Sequence, residues 1–496
     1  MRRMTLLASF AVGALVLAGC SSSADSSGGE KQPASAVSAP VSTPDGPGLA
    51  DAVTGDAVVA HLAELERIAG NNNGNRAAGT SGYDASVDYV VGALDAAGFD
   101  VETPEFEFDQ FTADTQLLSA GDRQLSVDAF TYSPPTPGDG ITAPVVAAPK
   151  DDSPGCEATD YDGLDVAGAI VVVDRGVCPF GAKQTVAADR GAVAVIVVNN
   201  EPGPLDSGTL GGTEVAKIPS GGVSQEDGPA VAAAPELTLT LATETKKTKS
   251  RNIVAQTKTG DSANVVVAGA HLDSVPEGPG INDNGSGTAA VLETALQMGA
   301  EPAITNAVRF TFWGAEELGL IGSTKYTEGL SAEDKANIAL YLNFDMIGSH
   351  NAGYLAYDGD DSDKVGSPAG PVGSDAIERV FVERLQQEGI AVDGTDFDGR
   401  SDYGPFIEVG IPAGGVFSGA DETKTPAQAD KWGGTAEEAF DQNYHTAEDT
   451  LANVDREALA KNASAIGFGI GTYAQSVEGS NGVPVGVART TARTEK

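Results

Sequence analysis

The chain contains few positive charges. Its 71 acidic residues outnumber its 30 lysines and arginines, so the formal net charge of the 496 residues is −41. A protein this acidic repels polyanions unless it carries a local basic patch, and the sequence shows no such patch. We therefore expect no nucleic-acid partner and no binding to an anionic lipid surface, and we interpret the charge as a solvated acidic surface.

The N-terminal hydrophobic run is too short to cross a membrane. Residues 6–17 are apolar and follow Arg2 and Arg3, whereas a spanning helix needs about 20 apolar residues. This pattern indicates an export signal. The run ends in LAGC, which resembles the processing box of bacterial lipoproteins, where the cysteine is acylated, for example with palmitate, and becomes the first mature residue. We therefore expect a signal peptide over residues 1–19 and a lipid anchor on Cys20 that holds the exported protein on the outer face of the cell membrane.

Cysteine is scarce as well. Beyond Cys20, only Cys156 and Cys178 remain. An even pair in an exported protein indicates a disulfide, and two buried thiols are the alternative.

The segment after Cys20 has too little apolar surface to form a core. Residues 21–47 are rich in Ser, Gly, Ala and Pro, a composition typical of disordered linkers. We expect a flexible tether over residues 20–50 and a disordered tail over residues 481–496.

The chain between tether and tail is long enough for more than one domain. Residues 55–99 predict two amphipathic helices, and residues 117–241 contain short β-like runs separated by Pro and Gly. Within these runs, the stretch GLDVAGAIVVVDRGVCPFGAKQTVAADRGAVAVIVVNN is similar to the protease-associated (PA) domain, a β-rich module. We therefore expect a PA domain over residues 117–241, inserted into a main domain that is formed by residues 51–116 and 242–480.

The chain after residue 251 alternates strands with helices. The apolar runs 265–270, 308–313 and 338–344 predict strands, and residues 287–298 and 318–326 predict helices. This order predicts an α/β fold with a mixed, mainly parallel sheet flanked by helices. Ligands of such sheets bind beyond the carboxyl ends of the strands.

Charged residues follow all three predicted strands at those ends. His271 ends the first strand and Asp283 lies in the glycine-rich loop after it, Glu316 and Glu317 follow the second strand, and Asp345 follows the third. A buried charge is costly unless it meets a partner or a metal. The glycines around Asp283 also suggest a nucleotide-binding loop, but the acidic residues of that loop argue against phosphate.

Several of these residues have ordinary alternatives. Most adjacent glutamates are solvated, although Glu316 and Glu317 would repel each other after a buried strand unless a cation or a shared proton relieved them. Asp345 could instead cap a helix or a turn. Asp273 shares a strand face with His271, so its carboxylate could orient the imidazole.

Histidine is rare, with four residues in the chain. His445 stands beside Tyr444 in a polar loop before the C-terminal helix, and we assign no functional role to His61 or His350.

Six segments together identify a family. The segments AGAHLDSV, GINDNGSG, FWGAEELGLIGS, YLNFDMIGS, DGRSDYGPF and QNYHTAEDTL closely resemble the secreted two-zinc aminopeptidases of actinobacteria. The resemblance extends from residue 55 to about residue 473 apart from the insertion. A lipid anchor together with a PA insertion is similar to the organisation of the mycobacterial lipoprotein aminopeptidases.

The resemblance implies a site with two zinc ions. Asp283 would bridge them, His271 and Asp345 would complete the shell of one ion, and Glu317 and His445 would complete the shell of the other. Histidine nitrogen and carboxylate oxygen are ligands that zinc accepts.

The resemblance also implies the roles of the residues around the metals. Glu316 would be the general base, and Tyr444 would donate a hydrogen bond to the oxyanion. The main chain at Arg400 would help to bind a free N-terminal amine, and Phe417 would line the pocket for the first side chain. We expect peptides with a free N-terminus and a large apolar first residue as substrates, and a monomeric enzyme.

The sequence departs from some relatives in two places. A disulfide that brackets the Tyr-His pair is replaced by Asn443 and Glu448, which predicts a looser loop. Acidic calcium ligands of the last helix are replaced by Ala460 and Ser464, which argues against activation by calcium.

Other functions on the same fold require other residues. A glutaminyl cyclase or a carboxypeptidase would need a different ligand set or a cluster of cations for a substrate carboxylate. A non-catalytic binding protein would have lost the metal ligands, yet every implied ligand and both catalytic side chains are present.

Overall fold

The computed structural model describes residues 40, 43–205, 208–364, 366 and 368–494. The predicted signal peptide and the predicted lipidation site Cys20 lie outside these residues, as does most of the predicted tether. Within this part of the chain, no helix is both long enough and apolar enough to cross a membrane.

The helices fall before, within and after a β-rich stretch. The α-helices of the described residues are α1 (Gly46–Ala52), α2 (Gly55–Asn71), α3 (Ser81–Ala96), α4 (Phe180–Asp189), α5 (Gly228–Ala233), α6 (Gly287–Met298), α7 (Ile321–Gly329), α8 (Ala332–Asn337), α9 (Ser374–Gln387), α10 (Tyr403–Glu408), α11 (Pro426–Trp432), α12 (Arg456–Gln475) and α13 (Gly486–Thr494).

The strands form three sheets. They are β1 (Asp100–Glu102), β2 (Glu105–Ala120), β3 (Arg123–Leu125), β4 (Asp128–Ala129), β5 (Ile141–Ala147), β6 (Ile170–Asp174), β7 (Ala194–Val198), β8 (Ser220–Val223), β9 (Glu236–Arg251), β10 (Ile253–Gln256), β11 (Asp261–His271), β12 (Asn306–Trp313), β13 (Ile338–Asn343), β14 (Leu355–Tyr357), β15 (Asp393–Thr395), β16 (Ala413–Gly414) and β17 (Val416–Phe417).

The central sheet has the order β1-β10-β12-β11-β13-β16. Strands β12, β11, β13 and β16 run parallel, whereas β10 pairs antiparallel with β12 at one edge and β1 pairs antiparallel with β10. Alternate residues of β11 enter two cores: Val266 and Ala268 pack with α2, α3, α6 and α12, and Val265 and Val267 pack with α10. The predicted α/β class with a mainly parallel sheet is confirmed.

A second sheet contains most residues of the predicted insertion. Its order is β3-β2-β9-β5-β6-β7-β8-β4, and it buries one core on each face. Strands β2 and β9 pair antiparallel from Glu105↔Arg251 to Ser119↔Thr238, so they cross the predicted domain limits at residues 117 and 241. Cys156 and Cys178 form the predicted disulfide.

Both ends of the described chain are more ordered than the sequence suggests. The prediction of a tether to residue 50 is wrong at its end, because α1 is capped by Asp45 and buries Leu49 against α12. The prediction of a disordered tail is also wrong, because α13 buries Arg489, which donates to the main-chain oxygen of Ala336. Both helices are short, and tertiary contacts rather than an apolar stripe hold them.

Helix α7 begins three residues later than predicted. Ala315 (φ 58°) and Leu320 (φ 57°) adopt left-handed backbone conformations, so the chain turns twice between β12 and the first residue of α7. Glu316 and Glu317 lie in this turn and therefore belong to neither β12 nor α7.

Candidate metal centre

The carboxyl ends of the parallel strands carry the predicted metal ligands. His271 is the last residue of β11, and Asp345 lies two residues beyond β13. Glu317 lies in the turn after β12, and Asp283 lies in the kinked turn Ile281–Ser286 that precedes α6, where its own backbone is not helical (φ −104°, ψ 97°). His445 approaches from the loop before α12. The structure thus brings together five residues that are separated by up to 174 positions.

The two oxygens of the Asp283 carboxylate face two different histidines. Its Oδ1 lies 3.2 Å from Nε2 of His271, which lies 3.3 Å from Oδ1 of Asp345. Its Oδ2 lies 3.2 Å from Nε2 of His445, which lies 3.0 Å from Oε2 of Glu317. Two groups of three potential ligands therefore share Asp283, with the ligand atoms of each group within 4.8 Å of one another.

The chemistry of this donor set fits a pair of zinc ions. Among the described residues, Oε1 of Glu317 is buried without a hydrogen-bond partner, and Oδ2 of Asp283 and Oδ1 of Asp345 face histidine nitrogens at 3.2 and 3.3 Å that a metal would replace as their partners. Buried carboxylate oxygens are normally paired, so an orphaned acceptor here indicates a cation. Imidazole nitrogen together with carboxylate oxygen suits Zn²⁺.

The charges of the centre shift one another's pKa values. Burial opposes protonation of His445, but hydrogen bonds with Asp283 and Glu317 raise its pKa to about 10. Burial also opposes protonation of His271, but the charges of Asp345 and Glu316 raise its pKa well above the ordinary value. Burial, helped by the charge of Asp283, raises the pKa of Glu317 to about 7. Protons therefore occupy the centre in the metal-free protein at neutral pH.

Glu316 faces the same space but belongs to neither group of three. Its Oε2 lies 3.9 Å from Nε2 of His271, and its side chain is 8% exposed. Burial raises its pKa well above the ordinary value, and the like charges of Asp402 and Asp345 add to the rise. A buried carboxylate with a raised pKa beside a metal position can exchange a proton with a ligand.

Asp273 supports the centre differently from the prediction. The Nδ1 atom of His271 lies 3.1 Å from the main-chain oxygen of Asp273 and 3.8 Å from its carboxylate. The carboxylate instead accepts the N–H of Glu316 at 3.2 Å. The main chain of Asp273 therefore orients the imidazole, while its side chain fixes the turn of the glutamates. The predicted carboxylate contact is replaced because the strand ends at His271 and no longer alternates.

Tyr444, Arg400 and Phe417 line a cavity of about 250 Å³ beside the five ligands. The ring of Tyr444 stacks on that of His445, with 3.8 Å between the ring centroids. The Arg400 guanidinium donates to Tyr444 Oη at 3.4 Å and to Asp421 Oδ1 at 3.0 Å. Arg400 is also 3.5 Å from Glu422, so acidic neighbours already balance this cation at the cavity rim.

Sequence reasoning missed three buried residues that hold the ligands. Ser401 donates to Oδ2 of Asp345 at 2.6 Å. Arg76 and Asp449 bind the backbone that leads into Asp283: Arg76 donates to the main-chain oxygen of Gly280, and Asp449 accepts the N–H groups of Asn282 and Asp283. The sequence offers a signal for two of them: Arg76 and Asp449 each place a full charge in a polar loop, which could have marked a contact, whereas nothing distinguishes Ser401 from a solvated serine.

Sequence profiles of two families match the chain. The profile of peptidase family M28 matches residues 252–468, and the profile of the PA domain matches residues 141–231.

Three curated relatives share most of the chain. The probable lipoprotein aminopeptidase LpqL of Mycobacterium tuberculosis is 54% identical over 446 residues, which are 89% of each chain. An aminopeptidase of Pseudomonas aeruginosa is 43% identical and covers 86% of this chain and 82% of its own. Leucine aminopeptidase 2 of Trichophyton equinum is 40% identical and covers 82% of this chain and 81% of its own.

Solved structures share the fold. An aminopeptidase from Aneurinibacillus sp. strain AM-1 superposes with a TM-score of 0.69 at 28% identity, over 86% of this chain and 95% of its own. BSAP, a zinc aminopeptidase from Bacillus subtilis, superposes with a TM-score of 0.62 at 26% identity, over 88% of this chain and 98% of its own.

Proposed function

The chain belongs to peptidase family M28 and carries a PA domain, and from that premise we propose that it is a zinc-dependent aminopeptidase. Such an enzyme hydrolyses the first peptide bond of a peptide with a free N-terminus. The relatives named aminopeptidase support the reaction, and the zinc aminopeptidase from Bacillus subtilis supports the metal.

The proposed centre binds two zinc ions. His271, Asp283 and Asp345 would hold one ion, and Asp283, Glu317 and His445 would hold the other. The observation that carries this proposal is the carboxylate of Asp283, whose two oxygens each face a different histidine. When bound, the pair would polarise the scissile carbonyl and make water a stronger acid.

Glu316 is proposed as the general base. It is the one glutamate of the adjacent pair that lies outside both ligand groups, and its carboxylate faces His271 across the centre. It would accept a proton from the attacking water and return it to the amine that leaves. Tyr444 would donate its phenolic hydrogen to the oxyanion, and Arg400 keeps that phenol in place from the other side.

The cavity supports selection for a free amine and an apolar first side chain. The carboxylates of Glu316 and Asp345, with the main chain at Arg400, would accept hydrogen bonds from the ammonium group. Phe417, Met346 and Leu355 line the same cavity. The relative named leucine aminopeptidase 2 is consistent with a large apolar residue at this position.

The place of action follows from the N-terminus. We propose that Cys20 is acylated after export and that the enzyme works on the outer face of the cell membrane. The LAGC sequence and the name of the lipoprotein relative support this proposal.

The decisive experiment replaces the proposed base. We expect Glu316→Gln to retain two zinc ions per chain and to lose nearly all hydrolysis of leucine p-nitroanilide, because the amide cannot accept a proton. Glu328→Gln, an exposed glutamate on α7, is the matched control and should behave as wild type.

Metal content and turnover are measured on the same samples. Unchanged turnover in Glu316→Gln would refute the assignment of the base. Equal hydrolysis of leucine and N-acetylleucine p-nitroanilides by the wild type would contradict the aminopeptidase activity itself.

A further inference from the structure

We infer that Arg76 and Asp449 are a pair of positioning residues that hold the loop of Asp283 in its metal-binding shape before any metal arrives. The two residues bind opposite polar groups of that loop: Arg76 binds carbonyls and Asp449 binds N–H groups. The inference rests on the proposed metal centre and adds to it the residues that build it.

Arg76 lies in the connection between α2 and α3, far from Asp283 in sequence. It is fully buried, and its guanidinium donates to three main-chain oxygens. These belong to Leu272, directly after β11, and to Pro279 at 2.9 Å and Gly280 at 2.5 Å. One side chain therefore ties the end of the His271 strand to the start of the Asp283 turn.

Asp449 binds the residues of the same loop that follow Gly280. It is 3% exposed, and its two carboxylate oxygens accept the N–H groups of Asn282 at 2.7 Å and Asp283 at 3.0 Å. Its main-chain oxygen accepts the N–H of Ile281 at 3.2 Å. Asp449 lies four residues after His445, so it joins the loop that carries one ligand to the backbone of another.

The arrangement eases an electrostatic problem. A buried guanidinium or carboxylate is strongly destabilising when it is uncompensated. Here the Arg76 guanidinium binds three main-chain oxygens and the Asp449 carboxylate binds two N–H groups, so peptide dipoles offset part of the cost of burial. Burial still raises the pKa of Asp449 to about 8, and the two N–H donors oppose that rise. Hydrogen bonds to charged groups are shorter and stronger than neutral ones, so they fix the loop more firmly than the turn alone.

The consequence concerns the loop around Tyr444 and His445. The sequence suggests a looser loop because Asn443 and Glu448 stand where some relatives have a bracketing disulfide. Asp449 supplies a non-covalent attachment one residue beyond Glu448. Asp441 adds a second attachment, because its carboxylate accepts the side-chain amide of Asn282 at 2.6 Å.

Two substitutions test the inference by zinc affinity. Asp449→Asn presents an amide donor to backbone donors, and Arg76→Met removes all three contacts with carbonyls. We expect either change to weaken zinc binding by about 10- to 100-fold, as loss of ligand-supporting contacts does. Chelator competition measures the affinity. The controls are Glu448→Gln, the neighbouring acid, and Arg67→Met, an exposed arginine of α2; both should bind zinc as wild type does.

A merely structural role predicts a different result. If the two residues serve only overall stability, variants that remain folded will bind zinc with wild-type affinity, and that outcome overturns the inference. If they position the loop, lost hydrolysis will recover as the zinc concentration is raised.

A measurement on the unaltered protein covers variants that fail to fold. Hydrogen exchange of the metal-free wild type should show protected amides at Asn282 and Asp283, because Asp449 accepts both hydrogens without metal. Exchange at the rate of an open loop would overturn the inference. Neither zinc affinity nor amide protection depends on hydrolysis, so a failed aminopeptidase assay and a failed positioning role would be told apart.

Discussion

Zinc loading of the metal-free protein should release at least about 1.5 protons at pH 7. The pKa of His445 is about 10, so this histidine carries a full proton at pH 7, and the pKa of His271 is raised well above its ordinary value by the charges of Asp345 and Glu316, which adds to the release. The pKa of Glu317 is about 7, which leaves this carboxyl half protonated. Metal ligands must be deprotonated to bind, so these protons leave. Histidines with the ordinary pKa of about 6.5 would together release only about 0.5 proton.

The same shifts predict the pH dependence of affinity and of stability. The apparent constant for loading both ions should rise by at least about one and a half powers of ten per pH unit near pH 7. It should continue to rise until His445 has lost its proton near pH 10. The stability of the metal-free protein runs the other way. Because the folded pKa of His445 is raised, its stabilising contribution is complete below about pH 6.5 and is lost as the pH rises through about 10.

Calorimetry at one pH in two buffers measures the proton count. Two buffers that do not coordinate zinc and that differ in ionisation heat are used, so the difference between the observed heats gives the number of protons released. His445→Ala should lower the count by about one. His350→Gln replaces an exposed histidine outside the site and should leave it unchanged. A wild-type release near 0.5 proton, or an affinity that stops rising at pH 7, would refute this view of the centre.

Three further predictions test separate parts of the protein. Tyr444→Phe should lower kcat by about 10²- to 10³-fold with little change in KM, because the lost donor acts on the oxyanion; an equal rise in KM would point to ground-state binding instead. Replacing both Cys156 and Cys178 by serine removes a cross-link between residues 22 positions apart. It should destabilise the inserted sheet by about 3.4 kcal/mol in urea denaturation followed by circular dichroism, with kcat preserved; an unchanged midpoint would contradict this estimate. Cys20→Ser should move the protein from the membrane fraction to the soluble fraction, and continued membrane association would exclude the lipid anchor.

The sequence predicted the elements that consist of long apolar runs. The runs 265–270, 308–313 and 338–344 correspond to β11, β12 and β13, and residues 287–298 correspond to α6. These segments are buried on both faces, so most of their residues are apolar and the run can be recognised in the sequence. Four of the five predicted ligands lie together because they follow the parallel strands β11, β12 and β13, whose carboxyl ends meet at one edge of the sheet, whereas His445 reaches that edge from the loop before α12. Their roles stay predictions.

The parts that the sequence did not predict depend on tertiary contacts. Helices α1 and α13 are too short to show an amphipathic repeat, and packing partners distant in sequence stabilise them. Asp273 contacts Nδ1 of His271 through its main-chain oxygen, and a pattern of side-chain types does not predict a main-chain contact. Arg76 and Asp449 bind backbone groups. Any residue can supply such a group, so the sequence of the bound loop does not show that it has a charged partner.

The long ribbon of β2 and β9 bears on how the inserted module can be exchanged. Residues that face each other across it, such as Phe111 and Thr245, have Cα atoms about 5 Å apart. A two-residue turn can connect two strands at this distance. If β2 and β9 are both shortened to the same pair of facing residues, such a turn can therefore join them as a hairpin. The gene can therefore gain, lose or replace everything beyond that pair while the central sheet and its metal ligands keep their connections.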